Sequence, residues 1–545
     1  MTRARSWLPL AAALLALDVS VTFVNLWPTP AISWHGRLSI ELAALVVVLA
    51  IAGRRGEVSR AVVNILAAVW TLLVLGRYAE VTAQGLYGRD VNLYWDLRFI
   101  PDVAAMVARV AKAWLVIVVV AAAAAALALL FAIVRLAIAR LAAAVGDHAA
   151  RRRLVSGAAL LTIFFVAERA GVWVAARDIW NTPEPLFPTP VTVTYARQIR
   201  VVAQALAGAP ALPQSPPMDS DLSRVAGADV FLIFIESYGA ISFDHPEISR
   251  RLAPARNDFA AAVAETHRSV VSAFVESPTF GGGSWLAHLS LLSGIEVRDP
   301  ETNATLMAAR RDTMARAFGR HGFRTIGLMP GMRQSWPEGS FYGFDAIYSA
   351  AKLDYHGPEF GWFAIPDQYS LSRLDATEIA AQPRRPVFMF FPTISTHFPF
   401  LPAPPYQPDW PRMLASNRPY DGPSIVRAYD RQPDWITFIP GYAVALTYDF
   451  ATIGGYLRLR ADRDGVMILL GDHQPPALVT GEGASHDVPV HIVASRRAIL
   501  DRLESHGFRR GMTPQAPAIG HMHALLPILL DAFGDRPPAA SRPTP

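Results

Sequence analysis

The sequence predicts two structural parts: an α-helical membrane domain with five transmembrane helices, then an α/β domain with a largely parallel central sheet. Three observations predict it. Hydrophobic residues make up 52% of the 545-residue chain, and the excess lies before residue 180. A proline-rich stretch over 181–228 then interrupts the pattern. Beyond it, short β-rich apolar runs alternate with helical segments. The parts are bounded as 1–178 for the membrane domain, 179–228 for a linker and 229–535 for the α/β domain, with a disordered tail over 536–545.

Five stretches carry the membrane reading, each a candidate for the ~20 mainly apolar residues that cross a bilayer. They are 7–27, 38–53, 61–78, 113–135 and 154–176. Arg3, Arg5, Arg54, Arg55, Arg60, Arg140, Arg151, Arg152 and Arg153 fall on one side of these spans. The other side holds Arg37, Arg89 and Arg98, the last two near Asp90 and Asp96. The positive-inside rule therefore places the N-terminus in the cytoplasm, and an odd number of spans puts everything after residue 177 outside. Residues 101–112 read as an amphipathic helix lying in the interface. Asp18 and the pair Glu168–Arg169 are ionisable groups within spans, hence functional candidates, although the pair reads equally as an interfacial anchor.

The net charge of +5 does not indicate a nucleic-acid partner, because Lys112 and Lys352 are the only lysines up to residue 352 and no Lys-rich run exists. Cysteine is absent, which excludes a disulfide framework, a thiolate metal site and a cysteine nucleophile. No cleavable signal peptide stands out, since no A-x-A-like site follows the first apolar run.

In the second part, apolar runs at 229–235, 269–275, 324–329, 387–392, 466–470 and 489–493 read as buried strands. Helices are expected over 256–265, 284–293, 310–321 and 441–460. Ligands in such folds bind at the carboxyl ends of the strands. Glu236 follows the first run, in FIESYG, and Asp472-His473 follows another, in VMILLGDHQPP. Alone, a glutamate there is more often a helix cap or a turn residue, and an Asp-His pair a turn. Together they make a hard-donor and imidazole set suited to one divalent ion, Mn²⁺ or Zn²⁺, with Mg²⁺ also admissible. In GGGSWLAHLSLLSG, Ser284 opens a helix after three glycines: alone it reads as an N-cap after a flexible loop, but free N–H groups there can hold a phosphate and its hydroxyl can act as nucleophile. Thr279 is the competing hydroxyl, but it precedes the glycines. The remaining histidines read as surface or helix residues, among them His245, His267, His288, His321 and His506, with His521 and His523 at a helix start.

These motifs, in this order, resemble the lipoteichoic acid synthase and phosphoglycerol transferase family, sulfatase-like members of the alkaline phosphatase superfamily. The resemblance covers nearly the whole chain. It implies that Glu236, Ser284, Asp472 and His473 are metal ligands and that Ser284 takes the place of the family's threonine nucleophile. Through TISTHFPF it implies that His397 contacts the transferred group. Through SHDVPVHIV, by analogy with phosphoethanolamine transferases, it places His486 near the substrate phosphate. Near Trp336, a substrate position, the family has an Asn-Arg pair where this sequence has Pro337 and Glu338, leaving Arg333 as the neighbouring positive charge. No C/S-x-P-x-R motif surrounds Ser284, which argues against sulfate ester hydrolysis. The implied activity is transfer of a phosphoglycerol-type head group from a phospholipid donor to a glycan, polymer or lipid acceptor. The alternatives are phosphoethanolamine transfer, lipid phosphodiester hydrolysis, or an inactive membrane scaffold or sensor.

Overall fold

A computed structural model describes residues 2–26, 29–87, 91, 96–97, 113–171, 185–207, 212–333, 336–415, 418–434 and 436–535. The expected interfacial segment 101–112, the end of the fifth expected span and the tail 536–545 lie outside the described residues. The chain divides into two compact units, Met1–Gly208 and Ala209–Pro545.

The first unit is helical, with helices Thr2–Thr22, Ile40–Ala52, Arg60–Tyr87, Ala113–Gly146, His148–Arg169 and Val191–Ala207. Among the described residues, Arg60–Leu86 and Val116–Gly146 are long and apolar enough to cross a membrane. The apolar helices Trp7–Thr22 and Ile40–Ala52 are shorter. The second is short for a local reason: Ser39 caps its start by accepting from the Leu42 N–H, and Gly53 ends it. Large apolar side chains face outward, such as Ile65, Ile117, Val120, Leu129 and Ile163, each over 60% exposed. Water disfavours such a surface, whereas lipid accepts it. Glu168 accepts hydrogen bonds from the Leu186 and Phe187 N–H groups at 2.9 and 3.0 Å, and Arg169 donates to the Pro188 carbonyl. This pair therefore anchors the following segment.

The second unit is built on an eight-stranded mixed sheet with mostly parallel strands. We label its strands β1 (Asp229–Ile235), β2 (Ser269–Glu276), β3 (Arg324–Met329), β4 (Ala346–Ser349), β5 (Val387–Pro392), β6 (Gly465–Gly471), β7 (Asp487–Ala494) and β8 (Arg509–Arg510). Their order is β8-β2-β7-β6-β1-β5-β3-β4. Strands β6, β1, β5, β3 and β4 are mutually parallel, while β7, β2 and β8 join by antiparallel pairing. Strands β4 and β8 were not expected from the sequence. Both are edge strands, and neither AIYS nor RR forms a buried apolar run.

All seven residues of β1 are buried, because helices cover both sheet faces. Val230, Leu232 and Phe234 enter one core with Ile468, Leu470 and Val490. Phe231, Ile233 and Ile235 enter the other, with Met467, Leu469 and Tyr456. Each buried side chain of this size stabilises the fold by about 1.5–3 kcal/mol before entropy costs. At the amino end of β1, Asp229 pairs with Arg384 and accepts from the Val387 N–H, fixing β1 beside β5.

Candidate active site

The register of β1 on β6 builds the site. Ile235 lies opposite Gly471, so the next residues, Glu236 and Asp472, emerge side by side at the carboxyl ends of two central strands. Glu236 is 8% exposed, and Asp472 and His473 are 1% exposed. Ser237 turns the chain away with φ 59°, a strained left-handed conformation for a residue with a side chain. Its N–H donates to Asp472 Oδ1 at 2.8 Å, and its hydroxyl donates to Glu236 Oε1 at 2.9 Å. One strained residue thus aims both carboxylates.

Ser284 arrives from another direction. Gly281, Gly282 and Gly283 all have positive φ (64°, 146° and 78°), which explains the glycine triplet. Helix Ser284–Ser293 starts immediately after, and no side chain caps it. Ser284 Oγ donates to Glu236 Oε2 at 2.9 Å and lies 3.2 Å from His473 Nε2. The competing hydroxyl of Thr279 donates to the Gly282 carbonyl at 2.6 Å, so it braces the glycine loop.

Glu236, Asp472 and His473 each offer a ligand atom, all within 4.8 Å of one another. His473 Nδ1 lies 2.7 Å from the Gln474 carbonyl, which can only accept, so this nitrogen carries the proton. Its Nε2 faces Glu236 Oε1 at 3.4 Å and Asp472 Oδ2 at 3.6 Å. Burial opposes an imidazolium at His473, yet Asp472 and Glu236 draw its pKa above the usual value. Burial, then repulsion from Glu236, pushes Asp472 up to about 6. The cluster favours positive charge between its side chains. Two carboxylate oxygens, an imidazole nitrogen and a hydroxyl fit a small divalent ion.

The other expected residues lie around this cluster at different removes. His397 Nδ1 is 2.7 Å from the Phe398 carbonyl, and its ring meets Phe363 edge-on at 5.0 Å. Burial lowers its pKa, and the charges of His473 and Asp472 both reach it. His486 packs 5.3 Å from the Phe280 ring, and its backbone carbonyl accepts from Ser277 N–H, whose hydroxyl donates to the Asp472 carbonyl. Among the described residues, His486 Nδ1 is buried without a hydrogen-bond partner. Trp336 stacks obliquely on Tyr342 at 5.2 Å. Arg333 is exposed, donates to the Trp362 carbonyl at 3.0 Å and lies over that ring. Among the described residues, neither makes a hydrogen bond or ion pair with the Ser284 cluster.

Sequence reasoning missed several contributors. Thr393 Oγ1 accepts the Glu236 N–H at 3.1 Å, and Thr396 Oγ1 donates to the Glu236 carbonyl at 2.6 Å. Asp367 and Asp449, both fully buried, lie behind them. His288, read as a bland helix residue, is buried one turn past Ser284 between Phe234 and Phe390. Its Nε2 has no hydrogen-bond partner among the described residues, and burial lowers its pKa to about 4. The i+4 spacing from Ser284 was the available signal for His288.

No protein-family model matches the chain, and no curated protein matches it. Solved structures do. A lipoteichoic acid synthase, LtaP from Listeria monocytogenes, aligns at 13% identity and TM-score 0.37, over 59% of this chain and 78% of that one. The Streptococcus pyogenes phosphoglycerol transferase GacH, in complex with sn-glycerol-1-phosphate, aligns at 13% identity and TM-score 0.36, over 58% and 78%. The integral membrane lipooligosaccharide phosphoethanolamine transferase A (EptA) from Neisseria meningitidis aligns at 14% identity and TM-score 0.45, over 96% of both chains. A likeness this weak leaves the functional reading to the chemistry of the site.

Proposed function

We propose that this chain is a membrane-anchored, divalent-metal-dependent phosphotransferase with a phospho-serine intermediate. It moves a phosphoglycerol-type head group from a phospholipid donor to an acceptor outside the cytoplasmic membrane. The observation that carries the reading is Ser284 Oγ, held 2.9 Å from Glu236 Oε2 and 3.2 Å from His473 Nε2 at the start of an uncapped helix. In this reading five spans place the N-terminus inside and the second unit outside, where it meets lipid head groups without leaving the membrane. The acceptor is a glycan, a polymer or another lipid, and no nucleic acid takes part.

Glu236, Asp472, His473 and the Ser284 hydroxyl would hold the ion, either Mn²⁺ or Zn²⁺. Once bound, a divalent ion here lowers the pKa of the serine hydroxyl and polarises a phosphoryl oxygen. Ser284 Oγ forms a bond to phosphorus as the bond from phosphorus to the diacylglycerol oxygen breaks. His397 and His486 orient the phosphoryl oxygens and carry the serine proton to the departing oxygen. The acceptor hydroxyl then forms its own bond to phosphorus, Ser284 Oγ leaves, and the proton returns by the same route. The N–H groups of Ser284 and Trp285, which open helix Ser284–Ser293, stabilise the negative phosphoryl oxygens throughout.

One observation favours a second head group. Arg333 is engaged with Trp362, and Pro337 and Glu338 replace the polar pair that would contact a glycerol, so a phosphoethanolamine head group is the alternative. Purified protein incubated with Mn²⁺ or Zn²⁺ and lipids labelled in the head group tests both. Diacylglycerol release and label on an acceptor are expected. Glu236→Ala and His473→Ala should each lower bound metal and rate, and the losses should not add, because either change empties the site. Full metal occupancy in both variants would sink the metal site and the enzyme reading with it.

A further inference from the structure

Glu236 directly follows β1, and hydroxyls bind both of its backbone polar groups. Its N–H donates to Thr393 Oγ1 at 3.1 Å, and its carbonyl accepts from Thr396 Oγ1 at 2.6 Å. Both hydroxyls in turn meet one buried oxygen, Asp449 Oδ2, at 3.0 Å from Thr393 and 3.3 Å from Thr396. Asp449 projects from helix Ile439–Leu459, and its side chain is inaccessible to solvent. The turn carrying the two threonines is fixed from below. Asp367 accepts from the Ile394 N–H at 3.0 Å and from the Ser395 N–H at 2.7 Å.

We propose that Asp449 is a positioning residue for the carboxylate of Glu236, acting through the hydroxyls of Thr393 and Thr396 while Asp367 fixes the turn that carries them. The inference rests on the metal-site reading above and deepens it. A ligand on a strand end is aimed by its backbone, so bonds at both its N–H and its C=O set the direction of its side chain. Partners of this kind, one layer behind a metal ligand, typically govern affinity by ~10–100-fold. Burial and the like charge of Asp367 raise the pKa of Asp449 well above the ordinary carboxylate range. The hydroxyls of Thr393 and Thr396, not a cation, meet Asp449 Oδ2, so asparagine can stand in for it.

The test is metal affinity of the full-length protein in detergent, measured by Zn²⁺ competition against a chromophoric chelator and independent of turnover. Asp449→Leu and Thr393→Val should each raise the Zn²⁺ dissociation constant about 10–100-fold. Asp449→Asn and Thr393→Ser keep a hydrogen-bonding atom in place and should leave it within about threefold, well short of the ~10–100-fold loss. Asp375→Leu supplies the control: it removes the acceptor of the bonds from Tyr456 and Arg460, away from the cluster, so it should lower thermal stability and leave Zn²⁺ affinity unchanged. Wild-type affinity in Thr393→Val, or in a folded Asp449→Leu, overturns the positioning role while leaving the metal site intact. Equal loss in the conservative and disruptive variants overturns it too. A wild-type protein that binds no Zn²⁺ or Mn²⁺ overturns the metal reading itself and the positioning role with it.

Discussion

Gly471, the last residue of β6 and the one before Asp472, is where a single methyl group should do most damage. A Cβ there would lie 1.8 Å from the Tyr238 carbonyl oxygen, 2.8 Å from its carbon and 3.2 Å from Val488 Cβ. Ordinary contact begins near 3.4 Å, so the backbone of the Glu236–Tyr238 turn and the end of β6 must separate by well over an ångström. The obstacle is main chain, which cannot rotate away as a side chain can. Overpacking of this kind costs about 1–3 kcal/mol. For a unit the size of Ala209–Pro545 that lowers Tm by roughly 1–2 °C per kcal/mol. The functional loss should be larger, because Glu236 and Asp472 would be pulled apart, and a ~1 Å misplacement of reacting groups costs about 100-fold in rate. Gly471→Ala should therefore fold, lose metal and fall at least about 100-fold in kcat/KM. Gly465→Ala, at the far end of the same strand, is the control. Its Cβ meets only the Asp229 carbonyl, at 3.3 Å, and needs a small adjustment. Thermal unfolding, elemental analysis and diacylglycerol release measure the three quantities. Gly471→Ala with wild-type metal content and rate would refute the proposed juxtaposition of Glu236 and Asp472.

Other outcomes follow from the same geometry. Ser284→Ala should abolish turnover without affecting folding, whereas Ser284→Thr should remain active because the hydroxyl is kept; loss on Thr279→Ala with activity retained in Ser284→Ala would move the nucleophile. His491 is buried neutral, with burial and then Arg256 pushing its pKa down to about 3. Its stabilising contribution is fully present above its unfolded value of ~6.5 and is lost as pH falls toward about 3, so about 2 kcal/mol should go by pH 5. His491→Asn should flatten that part of the stability profile, measured as Tm against pH, and an unchanged profile would contradict the assignment. A reporter fused after residue 200 should be active only outside the cytoplasm; activity inside would overturn the five-span topology.

The parts of the site legible in the sequence are those whose residue type is unusual for its position. A carboxylate after DVFLIFI and an Asp-His pair after VMILLG each end a run that is otherwise wholly apolar, and buried strands seldom end that way without a use. Ser284 was legible because three glycines in succession mark a backbone that side chains would obstruct. The membrane half showed itself in composition, but the lengths of its helices depend on local caps such as Ser39, which hydropathy does not weigh.

What stayed hidden depends on strand order. Thr393 and Thr396 lie in a segment whose histidine attracts attention, and their hydroxyls acquire a role only because β5 pairs with β1 and puts them beside the Glu236 backbone. Asp449 sits mid-helix among apolar residues, where a lone acid gives no hint of the two hydroxyls facing it. Gly471 reads as a punctuation residue until β6 is known to lie against β1 in the register that brings Tyr238 over it. In each case chemistry supplied by one segment is aimed by another more than fifty residues away in sequence. The precision of the site is thus a property of the β6-β1-β5 pairing. Substitutions that alter that pairing should harm metal binding more than changes at exposed Arg333.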